Sequence, residues 1–92
     1  MELDDFELKR TLGLTDPQIA VLRAMLERRA VTALEIEEMG SASSAVTIYR
    51  MRAKLEPYGI FIHSMPRLGY WLDEPSKQAL ASAVGATYAP AV

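Results

Sequence analysis

Ser43 to Leu72 reads S-S-A-V-T-I-Y-R-M-R-A-K-L-E-P-Y-G-I-F-I-H-S-M-P-R-L-G-Y-W-L, and this stretch decides the fold. Ile48, Met51 and Leu55 recur at steps of three and four, so a helix places them on one face. Ser43, Thr47, Arg50 and Lys54 step by four, three and four along what should be the opposite face. An apolar seam backed by polar and cationic side chains is what a DNA recognition helix needs: one side docks on the domain, the other enters the major groove. Pro57 and Gly59 stop the helix. A strand is then predicted over 59–64, a turn over Met65-Pro66-Arg67-Leu68, and a return strand over Gly69 to Leu72. This hairpin would be the wing.

Working back toward the N-terminus, two helix starts carry the same signature. In Leu14-Thr15-Asp16-Pro17-Gln18-Ile19, Thr15 caps, Gln18 closes a capping box, and Leu14 and Ile19 form a hydrophobic staple. Pro17 suits the first turn, where its missing donor has no intrahelical partner anyway. This helix is predicted to run to about Arg29, with Arg28 and Arg29 at its negative end. In Val31-Thr32-Ala33-Leu34-Glu35-Ile36 the signature repeats, with Thr32 as cap and Glu35 closing the box. The second helix should end at Gly40 in a left-handed cap, with Ser41-Ala42-Ser43 as the turn into the third. Two helices joined by a tight Gly-containing turn describe a helix-turn-helix. The expected fold is α+β, a three-helix core with a C-terminal hairpin wing over residues 14–74. Residues 1–13 suit either a short helix or an extended arm. Residues 75–92 suit a short helix over 76–84 followed by a frayed tail.

Composition sets the outer bounds. Ninety-two residues, half of them hydrophobic, suit one domain with a modest core. Without cysteine there is no disulfide or thiolate metal site, and one histidine makes a protein-only metal cage improbable. No Ser/His/Asp constellation or phosphate-cradling loop is legible, so neither an enzyme nor a cofactor is expected. No apolar run approaches the roughly 20 residues that span a bilayer. The acidic Met1-Glu2-Leu3-Asp4-Asp5 has the wrong charge for a secretory signal, so a cytoplasmic protein is expected. The net charge of −2 argues at first sight against a polyanionic partner. Its distribution reverses that: residues 1–40 carry five Lys/Arg against nine Asp/Glu (−4), whereas residues 41–72 carry four against one (+3). At cellular salt, screening beyond about 8–10 Å lets a local patch outweigh a distant acidic face.

The run V-T-I-Y-R-M-R-A-K-L followed by I-H-S-M-P-R-L-G-Y-W-L resembles the effector domain of OmpR/PhoB-type response regulators, over about Leu14 to Leu72. That resemblance implies a winged helix-turn-helix. By position, Arg50 matches the family's base-reading arginine, and Arg52 and Lys54 match basic positions that usually meet phosphates. Ser64 matches the wing threonine, and Gly69-Tyr70 the closing Gly-Tyr. Pro66 stands where the family has its wing arginine, with Arg67 one residue later. With about 14 residues before the first predicted helix, no counterpart of the family's receiver domain or N-terminal four-stranded sheet is expected in this sequence.

The expectation is a sequence-specific regulator of transcription that binds double-stranded DNA, of a kind found in bacteria and their phages. Thr47 and Arg50 would contact bases. Ser43, Ser44, Arg52, Lys54, Ser64 and Arg67 would contact phosphates, with capping the better role for one of the two serines. Tyr49 is expected to pack at the core edge. His63 is expected on the strand surface without a partner, and one of Tyr70 and Trp71 should face the core. Paired half-sites make a homodimer on DNA plausible. The rival reading is a protein-interaction module whose acidic face, with Glu35, Glu37 and Glu38, binds another regulator or RNA polymerase.

Overall fold

The computed structural model describes residues 1–40 and 42–88. The chain runs α1 (Asp5–Leu12), α2 (Asp16–Glu27), α3 (Ala33–Met39), α4 (Ser44–Leu55), a 3₁₀ turn (Glu56–Tyr58), β1 (Ile62–Met65), β2 (Gly69–Leu72) and α5 (Glu74–Val84). It is an α+β arrangement of five helices with a two-stranded antiparallel hairpin set after the fourth.

Local chemistry starts and stops these elements. Gln18 Oε1 accepts from the Thr15 amide at 3.1 Å, the return half of the expected capping box. Thr32 and Glu35 make both halves of theirs, at 3.2 and 3.1 Å. Ser43 Oγ caps α4 by accepting from the Val46 amide at 3.3 Å. The expected break at Pro57 and Gly59 is a 3₁₀ turn closed by Gly59 in the left-handed region (φ +77°).

Helices α1 and α5 are not appendages to a three-helix core. Asp4 caps α1, Gly13 ends it, and Leu8 and Leu12 are buried in the same cluster as Leu22, Met25, Ile36, Ile48, Met51 and Leu55. Leu80 of α5 joins that cluster, and α5 lies against α1. Each fully buried Leu, Ile or Met contributes about 1.5–3 kcal/mol of transfer free energy, so the flanking helices enlarge a core that three helices would leave thin. Gly40 departs from expectation in another way: its backbone is extended (φ −153°), and a Cβ there would sit 3.2 Å from Pro17 Cβ. What is expected of Ser41 and of the last four residues lies outside the described residues.

Several hydrogen bonds fix the hairpin to the helical part, three sets of them around Val31, Arg52 and Ser76. First, the Val31 amide and carbonyl exchange hydrogen bonds with Tyr70 at 2.9 and 2.8 Å, so one residue between α2 and α3 extends the sheet by a single antiparallel pair. Gly69 makes this approach feasible, since a Cβ there would lie 2.3 Å from the Val31 carbonyl oxygen. Second, Arg52 of α4 donates through Nε and Nη2 to the Ile62 carbonyl at 3.2 and 2.7 Å. Third, the buried Ser76 hydroxyl of α5 accepts from the Phe61 amide at 2.9 Å and donates to the Phe61 carbonyl at 3.3 Å.

Candidate nucleic-acid interface

The outward face of α4 is not the stripe that sequence spacing suggests. Thr47 and Ser44 are each 8% exposed and belong to the inward arc with Ile48, Met51 and Leu55, because α4 packs on its neighbours over a wide angle. Val46, Tyr49, Arg50 and Ala53 face outward, and Tyr49 is 76% exposed. A base contact by Thr47 and a phosphate contact by the Ser44 hydroxyl therefore conflict with where the side chains lie. The expectation that Tyr49 packs at the core edge is likewise corrected. The missed signal was in the helical angle: at 100° per residue, Thr47 lies only about 40° from Met51, and Tyr49 lies about 160° away.

The cations divide by region. Lys9 pairs with Asp16 (2.7 Å), Arg10 with Glu7 (2.8 Å), Arg23 with Asp5, Arg28 with Glu35, and Lys77 with Glu74 (3.6 Å). The Asp16 hydrogen bond and charge hold the Lys9 ammonium above its ordinary pKa. Outside residues 43–72 only Arg29 lacks a carboxylate among the described residues. Within that stretch Arg50, Arg52, Lys54 and Arg67 all lack one, again among the described residues.

These four are not equally available. Arg52 is committed to the Ile62 carbonyl, so its expected phosphate role gives way to holding the hairpin on α4. The half-buried Lys54 donates to Gln18 Oε1 at 2.8 Å. Arg50 and Arg67 are exposed and have no hydrogen-bond acceptor among the described residues. Ser43 is exposed with its oxygen engaged as the cap, and Ser64 is exposed opposite Tyr70.

Arg67 sits at the hairpin tip. The Leu68 amide donates to the Met65 carbonyl at 3.2 Å, with Pro66 and Arg67 at the two central positions. Arg67 has φ +69°, the position where a type II turn favours glycine. An arginine held there costs about 1–2 kcal/mol in backbone conformation.

His63 does have partners. Its Nε2 lies 2.7 Å from Asp73 Oδ2, and its ring stacks on Trp71 with centroids 5.7 Å apart. Burial pushes the Asp73 carboxyl up, but the Ser76 hydroxyl and amide and the His63 ring outweigh it and hold the pKa below the ordinary value. Tyr70 is the residue of its pair that packs against the core.

No family model, curated protein or solved structure matches the chain. No helix among the described residues is long and apolar enough to cross a membrane.

Proposed function

We propose that this chain is a winged helix-turn-helix regulator of transcription, resembling the OmpR/PhoB-type effector domain, that binds double-stranded DNA in the cytoplasm of a bacterium or its phage. In this reading α3 and α4 are the helix-turn-helix, α4 enters the major groove, and the β1–β2 hairpin is the wing. Arg50 reads bases, and Tyr49 and Val46, beside it on the same face, supply apolar contact to thymine methyls. Arg67 meets a phosphate or the minor groove. Lys54 reaches a phosphate at the edge of the face, and Arg52 positions the wing.

The observation that carries the proposal is the division of the cations. A lysine or arginine already neutralised by its own carboxylate has less charge to set against a phosphate, whereas an unneutralised one can displace the cations condensed on DNA. A selection of bound sequences from random duplex DNA at stated salt tests it. The expected result is one enriched site, bound with an affinity that falls steeply as salt rises. No enrichment together with no salt-dependent binding would sink it.

One observation favours the protein-interaction reading. Leu34 is 66% exposed and Met65 54%, and both line a cavity of about 460 Å³ between the start of α3 and the hairpin. Lys54→Glu separates the two readings, abolishing activity if DNA is the partner and leaving it intact if a protein docks on the α3 side.

A further inference from the structure

A cavity of about 340 Å³ lies where the start of α2, the end of α3 and the middle of α4 meet. Its volume falls within the range of small-molecule sites. Five of its side chains carry hydrogen-bond donors: Thr15, Gln18, Thr47, Arg50 and Lys54. No carboxylate lines it among the described residues.

Two of those donors belong to residues of low exposure and have no partner among the described residues. Thr47 is 8% exposed, and its hydroxyl has no hydrogen-bond partner among the described residues. Gln18 is 6% exposed. Its Oε1 already accepts from the Thr15 amide and from Lys54 Nζ, and its NH₂ group has no acceptor among the described residues. Neither group is sealed from solvent, because no buried side-chain nitrogen or oxygen among the described residues lacks a partner. Both therefore open toward the cavity they line. Two open donors beside two cations, with no carboxylate among the described lining residues, make the cavity complementary to an acceptor that carries negative charge. Val21 and Ile36 supply an apolar wall.

We infer that this cavity binds a small organic anion, a phosphate- or carboxylate-headed molecule with an apolar body. The head group accepts from Arg50, Thr47 and the Gln18 amide while Lys54 adds charge, and the body lies against Val21 and Ile36. The site does not depend on the DNA reading. If that reading holds, the ligand draws on the same Arg50 and Lys54 as DNA, and the two compete.

The test is a titration of the full chain, without DNA, with phenyl phosphate and separately with benzoate, followed through backbone amide shifts. At least one probe should give saturable shifts centred on the first turn of α2 and on residues 47–54. Which probe binds tighter identifies the head group. Thr47→Val should weaken binding roughly tenfold, the equivalent of one hydrogen bond to a charged group. It should not lower Tm, because the hydroxyl it removes bonds nothing within the protein. Arg50→Ala, at an exposed position that leaves the core intact, should weaken binding at least as much. Shifts that never saturate with either probe overturn the inference. So does unchanged affinity in both variants.

Discussion

Arg28 at the end of α2 and Arg50 in α4 are both exposed arginines on the same small domain. Arg28 is closed by Glu35, and Arg50 has no carboxylate among the described residues. The contrast extends to the regions around them. Lys9, Arg10 and Arg23 are each tied to an acid on α1 or at the start of α2. From Ser43 to Leu72, charge is instead held by neutral oxygens or left open to solvent. Surface ion pairs contribute at most about 1 kcal/mol each, so the pairing in the first region adds little stability. Its consequence is electrostatic: among the described residues it leaves Arg50, Arg52, Lys54 and Arg67 of an anionic protein without a compensating carboxylate.

The position of Arg67 depends on where the hairpin is held, and Gly69 is the point at which to break it. Gly69→Ala drives a Cβ to 2.3 Å from the Val31 carbonyl oxygen at a φ of +109°. A cost of about 3 kcal/mol is expected in a urea melt, from overlap and backbone strain together. Gly13→Ala, at φ +69° with nothing within 4 Å, isolates the strain alone and should cost about 1–2 kcal/mol. Equal costs at the two glycines would mean that the hairpin gives way easily and does not hold Arg67 in place.

A binding measurement contrasts the two arginines directly. Arg50→Ala should cost about 1–3 kcal/mol on the selected duplex and relax preference at one base position. Arg28→Ala should leave both affinity and salt slope unchanged. Equal loss on every sequence would reassign Arg50 to the phosphate backbone. An effect at Arg28 as large as at Arg50 would remove the distinction between paired and open cations.

Arg52 sharpens the comparison from inside the second region, where a cation can be unpaired and still be structural. Arg52→Ala should destabilise the fold by about 1–2 kcal/mol through loss of the donors on the Ile62 carbonyl. Arg52→Lys keeps the charge but not the planar fork, and should recover little of that stability. A salt slope reduced by about one, with unchanged stability, would return Arg52 to the DNA.

Sequence alone reveals the elements better than it reveals their faces. The starts of α2 and α3 were legible because capping boxes are local, and the hairpin because Pro66 and Gly69 bound its turn. Helix α1 carried its own marks in Asp4 and Gly13, but its eight residues are too few for an apolar period to separate helix from arm. The Val31–Tyr70 pair could not be read, since a one-residue bridge leaves no alternation in either partner. Ser44 and Thr47 misled for a different reason. A helix wedged between neighbours buries small polar residues on the flanks of its apolar seam, and hydroxyl chemistry does not distinguish a flank from an outer face.

Arg67 turns the comparison into a trade between stability and charge. Arg67→Gly removes a side chain from a left-handed position and should stabilise the fold by up to about 1 kcal/mol. The same change should weaken DNA binding on all sequences and lower the salt slope by about one. A gain in stability with no loss of binding would leave the strained arginine without a purpose on DNA.

Asp73 brings a carboxylate to the hairpin, and it should produce the smallest effect. Asp73 caps α5 through the Ser76 amide and touches His63 across the sheet edge, so it couples β1 to the helix that follows the hairpin. Its pKa is lowered in the folded chain from the ordinary carboxylate value. The unfolded chain therefore binds its proton at a higher pH than the folded chain does, and stability rises with pH in the interval between the two values. The contribution is complete above the ordinary carboxylate range and is lost as pH falls through the folded value. Asp73 is partly exposed, so solvent screening keeps the effect small. Denaturation profiles taken between neutral pH and the bottom of the carboxylate range should show a shallower acid slope for Asp73→Asn than for the parent chain. Identical slopes would mean that the cap and the His63 contact hold equally well with a neutral oxygen, and that Asp73 acts as a hydrogen-bond acceptor and not as a charge.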